Sequence, residues 1–339
     1  SPLTAGLTFD SFAIGGGTPL LLTVPQLEQL MATAALFGVH PSHAFTSVET
    51  SPEYADRPRL NVLKKAGVSR VSIGIQSFQD EELKAIKRRP RQNTIYQALD
   101  DIRQMDFPYF NIDLIYGIKG QTVESFLYSL EEALRFQPNE LFIYPLYVRQ
   151  GTGITEREPD DVCFRMYRAA CKLLQAKGFL QTSMRRFIHH PSTDAEVSCG
   201  DEVMLSCGSG GRSYLGDLHY ATRYTVCQQC IAREIDEYMA TTDFTVARNG
   251  FILSAKEQQQ RFIIKNLMYY MGIDKAEYTR RFGEPLDRTP LFRQLAEQYW
   301  IEETPERIRL TPEGLGYSDY IGQLFITPEI RQLMETYSY

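Results

Sequence analysis

The unit that decides the fold of the first half of the chain is contained in Lys64-Lys65-Ala66-Gly67-Val68-Ser69-Arg70-Val71-Ser72-Ile73-Gly74-Ile75-Gln76. A helical pattern ends here in two lysines, Gly67 stops the helix, and a short apolar strand follows at once. A helix that leads directly into such a strand is typical of parallel β/α units, in which helices cover a buried sheet. The stretch therefore predicts an α/β fold.

The same alternation of strand and helix extends to both sides of this stretch. Short runs rich in β-branched and aromatic residues predict strands at Phe9–Ile14, Ala44–Glu49, Arg70–Ile75, Phe110–Ile115 and Leu141–Leu146. Helical patterns lie between them at Pro25–Phe37, Pro58–Ala66, Asp80–Lys87, Thr94–Met105 and Thr122–Phe136. Five such units are too few for a closed eight-fold barrel. We therefore expect a partial parallel β/α, TIM-like barrel, with its ligand site at the carboxyl ends of the strands.

The pattern changes after about Gln150. The sequence predicts a helix at Asp160–Ala176, a strand at Thr182–His189 and a Gly/Ser loop at Cys207–Ser213. From Ser254 onward, three helical patterns precede two strand-like runs, Trp300–Glu303 and Arg307–Leu310, an order typical of a winged-helix module. We expect three parts, residues 1–150, 151–253 and 254–339, of which the last is mainly α-helical.

Composition excludes several classes of protein. The chain has 339 residues, of which 43% are hydrophobic and 23% charged, as in soluble globular proteins. Its net charge of −6 gives no attraction to nucleic acid or to an anionic membrane, and no apolar run approaches the length of a membrane span. Six cysteines are too few for a disulfide scaffold, so we expect a cytoplasmic protein. Because a core strand begins close to Ser1, we also expect a piece upstream of this residue.

A triple-glycine motif, Ile14-Gly15-Gly16-Gly17-Thr18-Pro19, ends the first predicted strand. Without Cβ atoms, these residues let a ligand touch bare backbone N–H and C=O groups. The alternative is a tight turn before a helix. The motif lacks the spacing of dinucleotide-binding loops and P-loops.

Three polar residues interrupt otherwise apolar strands: Glu49, Gln76 and Asp113. Each alone could be a satisfied core polar group, but three on successive strands favour a polar ligand at one mouth of the barrel. Arg88 follows the next helix. It is either part of a solvated helix end or turned inward to bind a carboxylate with two hydrogen bonds.

These motifs together resemble a known family. IGGGTP (14–19), SVETSP (47–52), KKAGVSRVSIGIQSF (64–78) and NIDLIYGIKGQT (111–122) are similar to the radical S-adenosylmethionine (SAM) core of the HemN/HemW group, which includes oxygen-independent coproporphyrinogen III oxidase. KEQQQR (256–261), RFG (281–283) and RLTPEG (309–314) resemble the C-terminal domain of that group. The resemblance implies a barrel of the radical SAM type.

The resemblance also implies a SAM site. By it, Gly15, Gly16 and Gly17 line the methionine end of SAM and Thr18 belongs to the same cofactor site. Glu49, Gln76, Arg88 and Asp113 match positions that contact SAM in the family. Pro145, within Tyr144-Pro145-Leu146, flanks the adenine.

The family reaction needs a [4Fe–4S] cluster held by a CxxxCxxC motif, and this spacing is absent from the chain. We expect its cysteines upstream of Ser1; the alternative is a relative that has lost the cluster. No metal ligand is therefore assigned here. The one CxxC, Cys227 to Cys230, is interpreted as ordinary helix cysteines, because a second cluster or zinc would have only His219 nearby.

The resemblance implies a radical SAM enzyme that cleaves SAM to a 5′-deoxyadenosyl radical for hydrogen abstraction, with oxidative decarboxylation and methyl transfer both open. The expected partners are a small-molecule substrate of tetrapyrrole-like type and reduced flavodoxin or ferredoxin as electron donor, without membrane or nucleic acid. A HemW-like haem carrier, with His189, His190 or Cys199 as iron ligands, is the alternative, and a nucleic-acid-binding winged helix is the third hypothesis. The candidate substrate contacts are Arg185, Arg186, His189, Arg212, His219, Tyr220 and Arg223.

Overall fold

The chain forms two compact units. The computed structural model describes residues 8–37, 39, 44–88, 91–149, 151–189, 203–223, 225, 227–246, 249–286 and 290–336. The first unit contains residues 1–180 and 186–199, and the second contains residues 181–185 and 200–339. The three-part division inferred from the sequence remains a prediction.

Strand and helix alternate through the first unit, as the sequence predicts. Its first strands are β1 (Ser11–Ile14), β2 (Phe45–Thr50), β3 (Arg70–Gln76), β4 (Tyr109–Tyr116) and β5 (Glu140–Pro145). Its helices are α1 (Val24–Leu36), α2 (Arg57–Lys65), α3 (Asp80–Ala85), α4 (Gln92–Met105), α5 (Val123–Leu134) and α6 (Asp160–Ala176). A short 3₁₀ helix, Pro19–Leu21, precedes α1. Local signals set the starts of α2 and α5, whose first-turn amides donate to the side chains of Asp56 and Thr122.

The seven-stranded sheet has the order β1-β2-β3-β4-β5-β7-β6, where β6 is Leu180–Gln181 and β7 is Arg186–Ile188. The first five strands are parallel, and β7 runs antiparallel to β5. Among the residues described, the end strands β1 and β6 are not paired with each other, as in the predicted partial barrel.

The single strand predicted at Thr182–His189 is wrong, because the chain leaves the sheet between β6 and β7. There the carbonyl of Thr182 accepts a hydrogen bond from the Tyr270 amide at 2.8 Å, and Ser183 forms a bridge with Tyr269. Backbone groups that find partners in the second unit cannot also pair in the sheet.

The two faces of the parallel sheet differ in polarity. Alternate residues such as Val71, Ile73, Ile112 and Ile143 are fully buried and form the core of the first unit. Residues of the opposite parity form a second face, which we call the polar face. Its members include Ser47, Glu49, Arg70, Ser72, Asn111, Asp113, Glu140 and Phe142. Because ligand sites of parallel β/α folds lie at the carboxyl ends of the strands, the part of the polar face nearest those ends is the candidate ligand site.

The second unit begins with an antiparallel sheet of order β11-β10-β9-β8. Its elements are β8 (Val203–Met204), β9 (Arg212–Leu215), β10 (Leu218–Ala221), α7 (Gln228–Met239) and β11 (Gly250–Ile252). The remainder comprises α8 (Ala255–Leu267), β12 (Ile273–Asp274), α9 (Lys275–Phe282), α10 (Pro290–Glu297), β13 (Ile301–Glu303), β14 (Arg307–Leu310), α11 (Pro312–Gly316), α12 (Ser318–Leu324) and α13 (Pro328–Thr336).

The last part of the second unit has the predicted winged-helix-like order of helices and hairpin. β13 and β14 pair antiparallel, and β12 adds a third strand beside β14. Phe262, Leu267, Ile308 and Ile321 belong to one buried cluster beneath them. No described helix has the length and apolar character needed to cross a lipid bilayer.

Candidate ligand site on the polar face

The triple-glycine turn leaves open backbone at the end of β1. Gly16 and Gly17 have φ angles of +79° and +59°, which side chains with a Cβ rarely adopt. A Cβ built on either residue would have no atom within 4 Å. The glycines are therefore required by backbone conformation, and the turn presents uncovered peptide groups to a ligand.

Glu49, near the end of β2, lies directly against this turn. A Cβ on Gly15 would lie 2.9 Å from Glu49 Oε2, so any side chain there would displace the carboxylate. The absence of a side chain at Gly15 thus lets an exposed acidic group approach the open backbone. A carboxylate beside bare amides suits a ligand that carries both an ammonium and a carboxylate.

Asp113 lies on β4, three residues before the end of that strand. Its Oδ1 accepts a hydrogen bond from Asn111 Nδ2 at 2.7 Å, and Ser72 Oγ is 3.4 Å from its Oδ2. Burial raises the pKa of Asp113 to about 6, an effect that the Asn111 hydrogen bond and the Arg70 charge oppose and the Glu49 charge reinforces. Asp113 can therefore change its protonation state near neutral pH.

Gln76 ends β3 in a strained conformation. Its φ is +74°, and the pairing of β3 with β4 shifts register between Gly74 and Gln76. A Cβ on Gly74 would lie 2.5 Å from Gln76 Nε2, so the glycine leaves room for the buried amide to fold over its own strand. Such backbone strain costs roughly 1–3 kcal/mol and is concentrated at functional sites.

A buried charged group at the amino ends of the strands was not predicted from the sequence. Glu140, the first residue of β5, lies 3.2 Å from Arg70 Nε and 2.5 Å from Arg186 Nη2. All three side chains are almost fully buried. Arg70, Ser72 and Asn111 continue the same face toward Asp113. Their alternation along the strands is the signal that could have revealed them.

A buried acceptor on this face, Asn111 Oδ1, has no hydrogen-bond donor and no ion-pair partner among the residues that the structure describes. The Nδ2 of the same amide donates to Ser72 Oγ and to Asp113 Oδ1. Leaving such an oxygen without a donor costs about 1–3 kcal/mol. A ligand that donates a hydrogen bond at this level of the sheet would remove that cost.

The remaining predicted SAM contacts lie at the edges of this arrangement. Thr18 is half-buried, and its carbonyl begins the 3₁₀ helix by accepting from the Leu21 amide at 2.9 Å. Pro145 closes β5 opposite Tyr116. Arg88 is exposed beyond α3, which ends earlier than predicted, because Lys87 adopts a φ of +60°. The structure brings together Gly15, Glu49, Asp113 and Gln76, whereas carboxylate binding by Arg88 remains a prediction.

The predicted substrate contacts are divided between the two units. Arg186 belongs to the buried ion pair with Glu140, so the expectation that it contacts substrate is corrected to a structural role. Arg185 pairs with Asp319, and Arg223 lies 3.9 Å from Glu234. His189 and Arg212 are exposed, Tyr220 is half-buried, and His219 stacks on Tyr214 at 4.2 Å; His190 and Cys199 lie outside the described residues.

The two implied cofactors differ in how they fit these residues. The described part of the chain has no group of three His, Cys, Asp or Glu side chains that could hold a metal ion. These residues therefore do not fit a [4Fe–4S] cluster. The chemistry of the polar face is compatible with SAM, because Gly15 lets the Glu49 carboxylate approach open backbone and Asn111 Oδ1 has no donor among the described residues.

Family models match one segment in the first unit and one segment in the second unit. The model of the radical SAM superfamily matches residues 7–133, and that of the HemN C-terminal domain matches residues 253–316. The first covers the parallel strands β1 to β4, and the second covers α8 through α11. Proteins of the radical SAM superfamily use SAM and a [4Fe–4S] cluster.

The chain is also similar in sequence and in structure to HemW and HemN proteins. The chain is 27% identical to the haem chaperone HemW of Bacillus subtilis, over 92% of this chain and 85% of that protein. It is 25% identical to the oxygen-independent coproporphyrinogen III oxidase of Escherichia coli, over 93% and 73%. The solved structure of E. coli HemN has the same fold, with a TM-score of 0.80 and 23% identity over 96% of this chain and 80% of that one. The chain therefore contains a radical SAM domain over residues 7–133 and a HemN C-terminal domain over residues 253–316, and it is similar to HemN and HemW proteins over most of its length.

Proposed function

We propose that the protein is a HemN-like radical SAM enzyme that binds SAM on the polar face of its first unit. The observation that carries this proposal is the contact between the side-chain-free Gly15 and the Glu49 carboxylate, on the same face as Asp113. A purely structural turn would not need an acidic side chain exposed against bare glycine. A zwitterionic ligand that also carries hydroxyl groups matches these partners.

Each group of this site has a chemical counterpart in SAM. Glu49 would accept from the ammonium, and the open amides of Gly16 and Gly17 would donate to the carboxylate. Asp113 and Gln76, which neighbour each other through the pairing of β3 with β4, would bind the ribose hydroxyls. Pro145, at the end of β5, would lie against the adenine.

When bound, SAM would supply the hydrogen-abstracting group, a 5′-deoxyadenosyl radical released together with methionine on one-electron reduction, and reduced flavodoxin or ferredoxin would be the ultimate source of that electron. The contribution of this chain is to fix the ligand against a rigid sheet and to exclude water. The curated oxidase relatives favour oxidative decarboxylation of a tetrapyrrole-like substrate, and methyl transfer gains no support from them. No step is assigned to the cluster, since the described residues do not hold one.

The test is SAM cleavage by the full-length gene product, reconstituted anaerobically with iron and sulfide. With strong reductant and coproporphyrinogen III deuterated on its propionate side chains, we expect methionine and deuterium-labelled 5′-deoxyadenosine, measured by mass spectrometry. Binding of SAM without any cleavage would contradict the enzymatic proposal.

Two variants locate the site. Glu49→Gln removes the carboxylate beside Gly15 and should weaken SAM binding by at least about tenfold, as expected for a lost charged hydrogen bond. Asp10→Asn removes the same charge at the opposite end of β1, where the side chain is exposed, and should leave binding unchanged. Equal loss in both variants, measured by calorimetry, would place SAM elsewhere.

A HemW-like haem carrier is the second candidate, favoured by the match to HemW over 92% of the chain. His189 is exposed and accessible to iron, although its ring already lies edge-on to Phe179 at 5.0 Å. A Soret shift on haem titration that His189→Ala abolishes would support the carrier. A spectrum without any shift would leave the enzyme as the proposal. We also propose the cytoplasm as its compartment, because six cysteines in 339 residues are too few for a disulfide scaffold.

A further inference from the structure

The CxxC sequence, Cys227-Gln228-Gln229-Cys230, begins helix α7 in the second unit. Cys227 is the N-cap residue, with φ −72° and ψ 122°, and its carbonyl accepts from the Ile231 amide at 2.8 Å. Cys230 lies in the first turn, three residues later. Both cysteines are partly exposed, and neither is in a disulfide. This places two accessible thiols at the positive end of a twelve-residue helix.

The two thiols are hydrogen-bonded to each other and are chemically unequal. The bond from Cys230 lowers the pKa of the Cys227 thiol, and the backbone amides of Cys230 and Gln229 and the charge of Arg233 act in the same direction. The same bond raises the pKa of Cys230. Cys227 therefore has the character of an attacking thiolate and Cys230 that of a resolving thiol.

The other described cysteines lack this arrangement. Burial raises the pKa of the Cys171 thiol to about 11, and burial also raises that of Cys163. Cys207 is exposed but is not bonded to a second thiol in the structure. Among the cysteines that the structure describes, reactivity is thus expected at this pair, and Cys207 provides a matched comparison.

We propose that Cys227 and Cys230 form a redox-active dithiol that exchanges with low-molecular-weight disulfides. This site is separate from SAM chemistry and does not rest on the proposed function. In its reduced form the pair has no third ligand among the described residues, so it does not constitute a metal site.

The exchange takes place in two balanced steps. The Cys227 thiolate attacks one sulfur of the disulfide RSSR, forming a mixed disulfide and releasing RS⁻, which takes up a proton. Cys230, after losing its proton, attacks Cys227 Sγ, forming the Cys227–Cys230 disulfide and releasing the second RS⁻. The two cysteines are oxidised by two electrons and RSSR is reduced to two thiols.

The Gly/Ser loop of the same unit is hydrogen-bonded to Thr222, which precedes α7, and to Tyr238 in the last turn of α7. The amide of Gly210 donates to Thr222 Oγ1 at 2.5 Å, and the amide of Gly208 donates to the Tyr238 hydroxyl of α7 at 2.9 Å. Closing a disulfide at Cys227 would adjust the N-cap, since neighbours one turn apart have Cβ atoms about 5–6 Å apart and a disulfide requires about 4 Å. The loop around Gly208 is where a structural response is expected.

The test titrates the whole protein with glutathione buffers from fully reduced to fully oxidised, followed by acid quenching, alkylation and peptide mass spectrometry. We expect an intramolecular disulfide in the peptide that contains both cysteines. In Cys230→Ser, glutathione should remain attached to Cys227, because the resolving thiol is missing. At neutral pH the wild-type Cys227 should alkylate faster than Cys207, because the lowered pKa of Cys227 increases its thiolate fraction.

The comparison variant is Cys207→Ser, which should leave the disulfide and its glutathione dependence unchanged. Two results would overturn the proposal. One is that both thiols stay reduced in fully oxidised glutathione while Cys207 is glutathionylated. The other is that zinc, added to the reduced protein, protects both thiols from alkylation at stoichiometric concentration, which would make the pair a metal site instead.

Discussion

Two opposing effects act on the pKa of the Asp113 carboxyl group. Burial raises its pKa to about 6, while the Asn111 amide and the Arg70 guanidinium favour the ionised form. An acid with a pKa raised above its unfolded value is stabilising in its neutral form. Its contribution to the free energy of unfolding is therefore lost as the pH rises from the unfolded pKa, near 4, through about 6.

This titration predicts a pH dependence of ligand binding. If the SAM hydroxyls need the ionised carboxylate, affinity should fall by up to about tenfold for each pH unit below about 6 and should be constant above it. Asp113→Asn should remove this dependence, with weaker binding throughout. Calorimetric titration from pH 5 to 8 measures both profiles, and parallel profiles in the two proteins would contradict the assignment.

Whether a site residue can be predicted from the sequence depends on the polarity of the residues next to it in the chain. Glu49 and Asp113 were identifiable because each interrupts an apolar run. Arg70 and Glu140 were missed because each begins a strand, where a charged residue usually belongs to the preceding loop. The positive φ of Gln76 has no sequence signal, since an amide side chain does not require that conformation.

Among the strands of the first sheet, β3, β5 and β7 are connected by buried ion pairs, in addition to the backbone pairing within the sheet. Glu140 on β5 lies between Arg70 of β3 and Arg186 of β7. Isolated burial of any of these groups would cost several kcal/mol, so the three depend on one another. The antiparallel strand β7 thereby supplies a second cation to a carboxylate that Arg70 of β3 already faces.

Removing one of the two arginines that pair with Glu140 should therefore lower the free energy of unfolding. Arg186→Met leaves Glu140 with a weaker counter-charge and should lower the free energy of unfolding by about 3–5 kcal/mol. Arg165→Met breaks an exposed pair with Asp161 and should cost less than about 1 kcal/mol. Urea unfolding, followed by circular dichroism, measures the stability of both variants. Equal midpoints for the two variants would show that the buried ion pairs contribute little to the free energy of unfolding.

The boundaries of β6 and β7 show where an element depends on tertiary contacts. The stretch from Thr182 to His189 is a short run in which Met184, Phe187 and Ile188 lie among polar residues, and the sequence predicts one strand there. In the structure its first part pairs with Tyr269 and Tyr270, and only Arg186–Ile188 pairs with β5. The local sequence does not show which of two sets of backbone partners this stretch will pair with. The parallel strands could be predicted because strand and helix patterns alternate at regular spacing along the chain.

For the whole molecule, the domain limit at residue 253 remains to be tested. The buried cluster of the winged-helix-like part, from Phe262 to Phe325, is formed entirely by residues beyond that limit. Ser254 also starts α8 with a capping box shared with Glu257, so the helix carries its own start signal. A segment with its own core and its own helix caps has the features of an independently folding domain.

We therefore predict that residues 253–339 fold alone. The fragment should be helical and should unfold cooperatively on heating, at a lower temperature than in the whole chain, because the bonds from Thr182 and Arg185 are lost. Leu267→Ala, at a fully buried position, should lower its free energy of unfolding by about 2–5 kcal/mol. Met334→Ala, at a position 64% exposed, should change it by no more than about 0.5 kcal/mol. A fragment without cooperative unfolding would move the boundary upstream, since the buried cluster would then depend on the strands of the preceding sheet.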